Sequence, residues 1–279
     1  MTFRPDLDAY FQRIGLEGPR AATLSNLQRL IAAHVRAIPF ENLDILLGRG
    51  ISLEPAALEE KLVHGQRGGY CFEQNGLLLQ VLVELGYEVE PLSARVHGDQ
   101  PRSFIPNRTH LFLRVEIEGE SWLADVGVGS GTPPQALRLE LDRVQPTALE
   151  ARRIVAVGDW SGFQSRSPEA TLYHQIQYGE RWEDVCDFTL ETMHANDREQ
   201  ANWFTSTHPH SKFRQRLSAA RVTPNGRVTL NNAEFKVRDA SGQAERRLLQ
   251  SPEELLDCLA SEFDLHLPAG TRFDCVDFD

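Results

Sequence analysis

Thr109-His110-Leu111-Phe112-Leu113-Arg114-Val115-Glu116-Ile117-Glu118-Gly119-Glu120-Ser121-Trp122-Leu123-Ala124-Asp125-Val126-Gly127 is the stretch on which the reading of this chain turns. Leu111, Leu113, Val115 and Ile117 are apolar at alternate positions, and His110, Arg114 and Glu116 between them are polar. That is the period of a strand with one buried face. With Glu118-Gly119 as a two-residue hairpin loop, Ile117 faces Glu120 and Phe112 faces Asp125. Trp122, Ala124 and Val126 then join the apolar face, and Asp125 joins the face of His110. The two become diagonal cross-strand neighbours, roughly 7–8 Å apart along the backbone, which two polar side chains can bridge. A three-residue loop would carry Asp125 to the wrong face. The alternation on both arms favours the shorter loop.

An imidazole oriented by a carboxylate is the partner a thiol nucleophile needs. Upstream, Arg67-Gly68-Gly69-Tyr70-Cys71-Phe72-Glu73-Gln74-Asn75 places a cysteine at the start of an apolar helical run. Free N–H groups and the helix dipole there favour a thiolate. Gly68-Gly69 is expected to give the backbone freedom for a tight turn into the helix. Taken singly, each residue has a plainer reading. A free cysteine is most often a small buried hydrophobe, His110 a half-exposed strand residue, and Asp125 a strand-end turn residue. Taken together they favour a catalytic triad of Cys71, His110 and Asp125. Cys186, Cys258 and Cys275 have no such setting.

Outward from these motifs the period changes twice. Before Tyr87 the chain reads helical: Asp6 to Ile14, a run from Thr23 stopped by Pro39, Ala56 to Val63 behind Pro55, and a helix from Cys71 to Gly86. Residues 1–86 thus form a helical unit. Over 87–188 strands are expected at Tyr87–Val96, His110–Ile117, Ser121–Val126, Ala151–Val157 and Leu172–Tyr178, an antiparallel and barrel-like block. Residues 189–279 mix types. Thr189–Asn196 is helical or irregular, Arg221–Leu230 is a strand pair broken at Asn225-Gly226, and a last helix is capped by Ser251 with Pro252 and Glu254. The fold class is α+β.

The 279 residues include 29 basic and 40 acidic side chains, a net charge of −11. That argues against broad binding to nucleic acid or an anionic membrane. Four cysteines without short spacings fit neither a disulfide framework nor a zinc ribbon, and no long apolar run or leader is visible. A soluble cytoplasmic protein is expected. Gly127, Gly129 and Gly131 look like a phosphate loop, but Pro133-Pro134 prevents the helix a dinucleotide fingerprint requires. They permit either a close ligand approach or a simple turn. His208-Pro209-His210 lacks further ligands at useful spacing, so a loop is preferred and no metal is expected. Glu41 either pairs with Arg67 and fixes the cysteine loop or stands as a solvated acid.

The chain resembles the arylamine N-acetyltransferase family over essentially its full length. The resemblance rests on Ile38-Pro39-Phe40-Glu41-Asn42-Leu43, Arg67-Gly68-Gly69-Tyr70-Cys71, Thr109-His110 leading to Asp125-Val126-Gly127-Val128-Gly129, and Asn202-Trp203-Phe204-Thr205-Ser206-Thr207-His208-Pro209. It implies an N-terminal helical bundle, a central antiparallel β-barrel and a C-terminal α/β lid, with a cysteine core related to papain and transglutaminase. It also implies ping-pong transfer of an acetyl group from acetyl-CoA to an arylamine, arylhydrazine or N-hydroxyarylamine through an acetyl-cysteine. The family's triad falls on Cys71, His110 and Asp125. Phe40, Val128 and Phe204 are expected at the acceptor, with Val128 standing where the family often has Phe and so leaving a roomier pocket. Thr109, Gly129, Thr207 and His208 are expected at CoA. Competing readings keep the triad and change the acceptor, as in an amide synthase or a thiol hydrolase, or make the chain a non-catalytic binder of aromatic ligands.

Overall fold

A computed structural model describes residues 3–98, 100–157 and 172–278. Helix α1 (Leu7–Arg13) starts at Asp6, whose carboxylate accepts from the Ala9 N–H. Helix α2 (Leu24–Ala37) is capped in the same way by Thr23. After Pro39 come a two-residue strand β1 (Phe40–Glu41) and a one-turn helix α3 (Leu43–Leu46). The expected helix at Ala56–Val63 is divided: α4 (Pro55–Glu59) passes into a wide π-turn over Glu60–His64. Lys61 in that turn reaches both Asp44 and Glu73. Helix α5 (Cys71–Glu84) completes the first part, and its apolar face packs with α1 and α2.

The barrel follows. Strands β2 (Glu88–Val96), β3 (His110–Ile117), β4 (Glu120–Ala124), β5 (Leu137–Arg138), β6 (Arg152–Ala156), β7 (Leu172–Tyr178) and β8 (Arg181–Thr192) form an antiparallel sheet in the order β5-β4-β3-β2-β8-β7-β6. Its two edges nearly meet. Gln145 pairs with Arg152 through the main chain, while its side chain bonds the Arg138 N–H at 2.7 Å and carbonyl at 2.9 Å. The Glu118-Gly119 loop has φ of 53° and 80°, and Ile117 lies opposite Glu120, as the alternation required. Leu113, Val115 and Ile117 face the helices, and Phe112 and Leu123 fill the barrel.

The last part contains helix α6 (Ala195–Thr207), a short helix α7 (Lys212–Gln215), strands β9 (Ser218–Thr223), β10 (Gly226–Asn231), β11 (Glu234–Asp239) and β12 (Ala244–Leu248), and helix α8 (Pro252–Phe263). Ser251 caps α8 by accepting from the Glu254 N–H, and the Glu254 carboxylate accepts from Gln250. These strands form a second antiparallel sheet, β1-β9-β10-β11-β12, so the first third of the chain supplies its edge.

Three expectations need correction. Thr189–Thr192 is neither helical nor irregular: it ends the long strand β8, which runs past residue 188 and bulges against β2 and β7. Helix α6 begins only at Ala195. In the β9–β10 hairpin the loop is Pro224-Asn225, because Gly226 already pairs with Thr223, and a Cβ there would lie 2.0 Å from the Arg238 carbonyl oxygen. Among the described residues no helix is long and apolar enough to cross a membrane.

Candidate active site

Cys71 is the first residue of α5, with its side chain buried. The chain enters that helix through a braced turn. The Gly69 N–H donates to the Pro39 carbonyl at 3.3 Å, and the Glu41 N–H donates to the Gly69 carbonyl at 3.1 Å. Arg67 reaches Glu41 at 2.7 Å and Asp44 at 3.2 Å, so Glu41 takes the paired alternative. The Glu73 carboxylate accepts from the Tyr70 N–H at 3.0 Å and from Lys61 at 2.7 Å. Burial pushes the Glu73 acid up to about 7 despite the Lys61 ammonium beside it. The two glycines serve a different purpose from the expected one. Neither has a positive φ, but a Cβ on Gly68 would lie 2.2 Å from the Pro39 carbonyl oxygen, and one on Gly69 would lie 2.8 Å from the Glu73 carboxylate. They admit close packing rather than an unusual backbone.

His110 opens β3 and Asp125 follows β4, so the hairpin sets them side by side: His110 Nε2 lies 2.7 Å from Asp125 Oδ2. The second carboxylate oxygen accepts from Asn75 Nδ2 at 3.0 Å and from the Gly127 N–H at 2.9 Å. With Nε2 engaged by Asp125, Nδ1 is the ring nitrogen left for a thiol, and Cys71 is near enough to add to the electrostatics of the imidazole. The Cys71 sulfur also lies 3.6 Å from the Thr109 carbonyl oxygen. Burial alone would lower the His110 pKa. The Asp125 charge and hydrogen bond, with help from Cys71, outweigh it and push the imidazole up to about 10. Burial would likewise raise Asp125, but His110, the Gly127 N–H and Asn75 hold it below the usual carboxylate range.

Asn75 was not foreseen. It sits one helical turn beyond Cys71, fully buried, and binds three points of the hairpin: the Leu111 carbonyl at 2.7 Å, Asp125 and the Val126 N–H at 3.0 Å. It thereby ties the nucleophile's helix to the strands carrying the other two groups. Gly127 lets them meet, since a Cβ there would lie 2.8 Å from the Cys71 Cα.

A cleft of about 390 Å³ opens onto Cys71 and His110. Phe40, Val128 and Phe204 line it as expected, joined by Phe104 and Phe213; Thr109 and Gly129 line it too. Thr207 and His208 do not. Thr207 is exposed and its hydroxyl donates to the Trp203 carbonyl at 2.5 Å, while the His208 ring stacks on Phe204 at 4.5 Å. Both lie at the C-terminal end of α6, beyond the turn that presents Phe204 and Thr205 to the cleft. In their place the segment after α6 offers His210, Lys212 and Arg216. Lys212 and Arg216 have no carboxylate partner among the described residues. The acid-free run from His208 to Arg216 in an acidic chain was the signal for them. Among the described residues no cluster of His, Cys, Asp and Glu is arranged to hold a metal ion.

Comparison with known proteins agrees with this geometry. Residues 23–272 match a family model described as N-acetyltransferase. The arylamine N-acetyltransferase of Mycobacterium tuberculosis is 40% identical over 266 residues, covering 94% of this chain and 90% of its own. A Salmonella typhimurium relative named arylamine N-acetyltransferase / N-hydroxyarylamine O-acetyltransferase is 36% identical over 260 residues, covering 93% and 88%. The structure of the Mycobacterium marinum arylamine N-acetyltransferase in complex with CoA superposes with a TM-score of 0.85 at 38% identity, covering 93% of this chain and 92% of that one.

Proposed function

The chain belongs to the arylamine N-acetyltransferase family, and from that premise we propose that it transfers acetyl groups by a ping-pong mechanism on Cys71, His110 and Asp125. It is an acyltransferase that moves an acetyl group from acetyl-CoA to arylamines, and arylhydrazines and N-hydroxyarylamines share the acceptor chemistry.

With the imidazole held charged, the proton of the Cys71 thiol already resides on His110, and the thiolate attacks the thioester carbonyl of acetyl-CoA. The carbonyl oxygen becomes an oxyanion near the Cys71 N–H, one of the first N–H groups of α5, which have no intrahelical acceptor. Collapse expels the CoA thiolate, His110 returns its proton to that sulfur, and an acetyl-cysteine remains. Thioester exchange is close to balanced, so the intermediate is accessible. The amine then attacks the same carbonyl, His110 Nδ1 accepts a proton from its nitrogen, and the Cys71 thiolate leaves. Asp125 holds the imidazole in one orientation throughout, and Asn75 with the Gly127 N–H holds Asp125.

The aromatic wall of Phe40, Phe104, Phe204 and Phe213 suits a flat acceptor, and Val128 leaves that wall short on one side. Lys212 and Arg216 at the cleft suit the phosphates of CoA. The observation that carries the reading is the buried Asp125–His110 pair, with Cys71 at the start of α5 opening onto the same cleft. Mass spectrometry after mixing with acetyl-CoA alone tests it. One acetyl group on Cys71, released by an arylamine and absent from Cys71→Ala, is the expected result. A wild-type protein that stays unmodified while still releasing CoA in the presence of amine would overturn the two-step route.

A further inference from the structure

Behind the cleft wall, two arginines and a glutamate are buried against the backbone of a single turn. The chain leaving Asp125 runs through Val128 into a 3-10 turn, Gly129–Gly131, and Val128, Gly129 and Ser130 face the cleft. On the far side, three successive carbonyls of this segment are held by guanidinium groups. Arg227 of β10 donates to the Ser130 carbonyl at 2.9 Å and the Thr132 carbonyl at 3.2 Å. Arg152 of β6 donates to the Gly131 carbonyl at 2.7 Å and the Thr132 carbonyl at 3.4 Å. Glu150 lies between them, bound by both arms of Arg227 at 2.8 and 2.7 Å and by Arg152 at 3.3 Å. All three side chains are buried, with Arg152 at 0% exposure.

No step of acetyl transfer uses these groups, and burying two cations and an anion is costly unless their geometry is fixed. Only a turn locked in one position satisfies both forks at once. Gly131 has no latitude on the other side, since a Cβ there would lie 2.9 Å from a Val185 methyl group.

We propose that Arg227, Glu150 and Arg152 form a clamp that positions the Val128–Ser130 wall and so determines which acceptors fit, a role that rests on the acetyl-transfer reading of the cleft. Val128 sets the size of the wall's side chain, and the clamp sets where its backbone stands. Because Arg227 comes from the C-terminal sheet and Arg152 from the barrel, the wall is referenced to both.

The test compares wild type with Arg227→Lys, which keeps the charge and loses the fork. Three measurements are made: KM and kcat for a monocyclic and a fused tricyclic arylamine, the rate of Cys71 alkylation by iodoacetamide, and the rate with bulky pyrenylmaleimide. A loosened wall raises acceptor KM roughly tenfold and narrows discrimination between the two amines, with iodoacetamide alkylation within about twofold of wild type. The ratio of pyrenylmaleimide to iodoacetamide rates rises as well. Unchanged KM values and labelling ratio would overturn the clamp. So would a parallel fall in kcat and iodoacetamide alkylation, which would place the effect on the nucleophile. If Arg227→Lys does not fold, Glu150→Gln, which keeps the shape, is read by the same measurements. A wild-type protein that acetylates no amine defeats the acetyl-transfer reading instead, and the labelling ratio still decides the clamp.

Discussion

Among the described residues two histidine–aspartate pairs are buried, and they are built alike only at their centre. His110 Nε2 meets Asp125 Oδ2 at 2.7 Å, and His97 Nε2 meets Asp187 Oδ2 at 2.5 Å. All four side chains are buried. The first pair is supported on both sides: Cys71 adds to the electrostatics of the imidazole, and Asn75 and the Gly127 N–H bond the far carboxylate oxygen. In the second, His97 Nδ1 and Asp187 Oδ1 have no hydrogen-bond partner among the described residues. Its histidine follows the last residue of β2, and its aspartate sits within β8. A histidine–aspartate contact is therefore not itself a catalytic signature. A thiol close to the imidazole on one side and a fully bonded carboxylate on the other are what distinguish the first pair.

The largest test of that distinction exchanges each carboxylate for its amide. Asp125→Asn should lower kcat by about 10³-fold or more, because the amide no longer stabilises the imidazolium or fixes its tautomer. Asp187→Asn should leave kcat within about twofold, since its pair touches no reacting atom. Steady-state CoA release checks both, and comparable losses would break the comparison. The second test concerns thiols. Cys71 should be alkylated by iodoacetamide roughly 100-fold faster than Cys186, the neighbour of Asp187, whose thiol is pushed well up by burial and then by nearby Asp125 and Asp187. Peptide mapping over time separates the two.

The third prediction probes the support of the carboxylate. Asn75→Ala strips partners from the Leu111 carbonyl, the Val126 N–H and Asp125 at once. Buried groups left this way cost about 1–3 kcal/mol each, so stability should fall by a few kcal/mol and kcat by roughly tenfold. Chemical denaturation and turnover are the measurements, and a stable variant with full activity would show that the hairpin alone places Asp125.

The smallest effect is the pH dependence of stability. The His110 pKa is raised, so its charged form stabilises the fold fully below the ordinary histidine value of about 6.5, and this is lost as pH rises through about 10. The Asp125 pKa is depressed, so its contribution is present above about pH 4 and lost as pH falls through the folded value. Both are fully present between about pH 4 and 6.5. The stability difference between wild type and His110→Gln should therefore shrink from pH 6.5 to pH 10, as thermal unfolding across that range would show. A constant difference would mean that the pair does not titrate with folding.

How much of this was legible depended on whether short-range chemistry decided the outcome. The β3–β4 register was readable because a two-residue loop and a strict alternation leave one solution, and that solution placed His110 beside Asp125. Ser251 was readable as a cap because capping is local, and Asp6 and Thr23 were readable as helix starts. Strand β8 was not, because its bulges break the alternation that would have revealed it. Helix α6 carries a weak apolar stripe and depends on tertiary contacts such as the Tyr70 hydroxyl to Asn202. At the cleft, Phe204 lines the wall, whereas Thr207 and His208 of the same motif lie outside it. Asn75, Arg152 and Arg227 could not be read as site residues, since their partners are backbone groups brought near only by the fold.

The two-residue strand β1 has a consequence for how the protein matures. Phe40 bridges Gly69 in the cysteine turn and pairs with Ala220 of β9. Its neighbour Asn42 bonds the carbonyls of Phe213 and Arg216 and the Ser218 N–H, each at 2.8 Å. The turn that delivers Cys71 is thus anchored to chain made much later. During synthesis the helical part can emerge and collapse, but the nucleophile cannot settle until β9 has left the ribosome. A nascent chain stalled before residue 213 would carry the Cys71 thiol without the contacts that seat its turn.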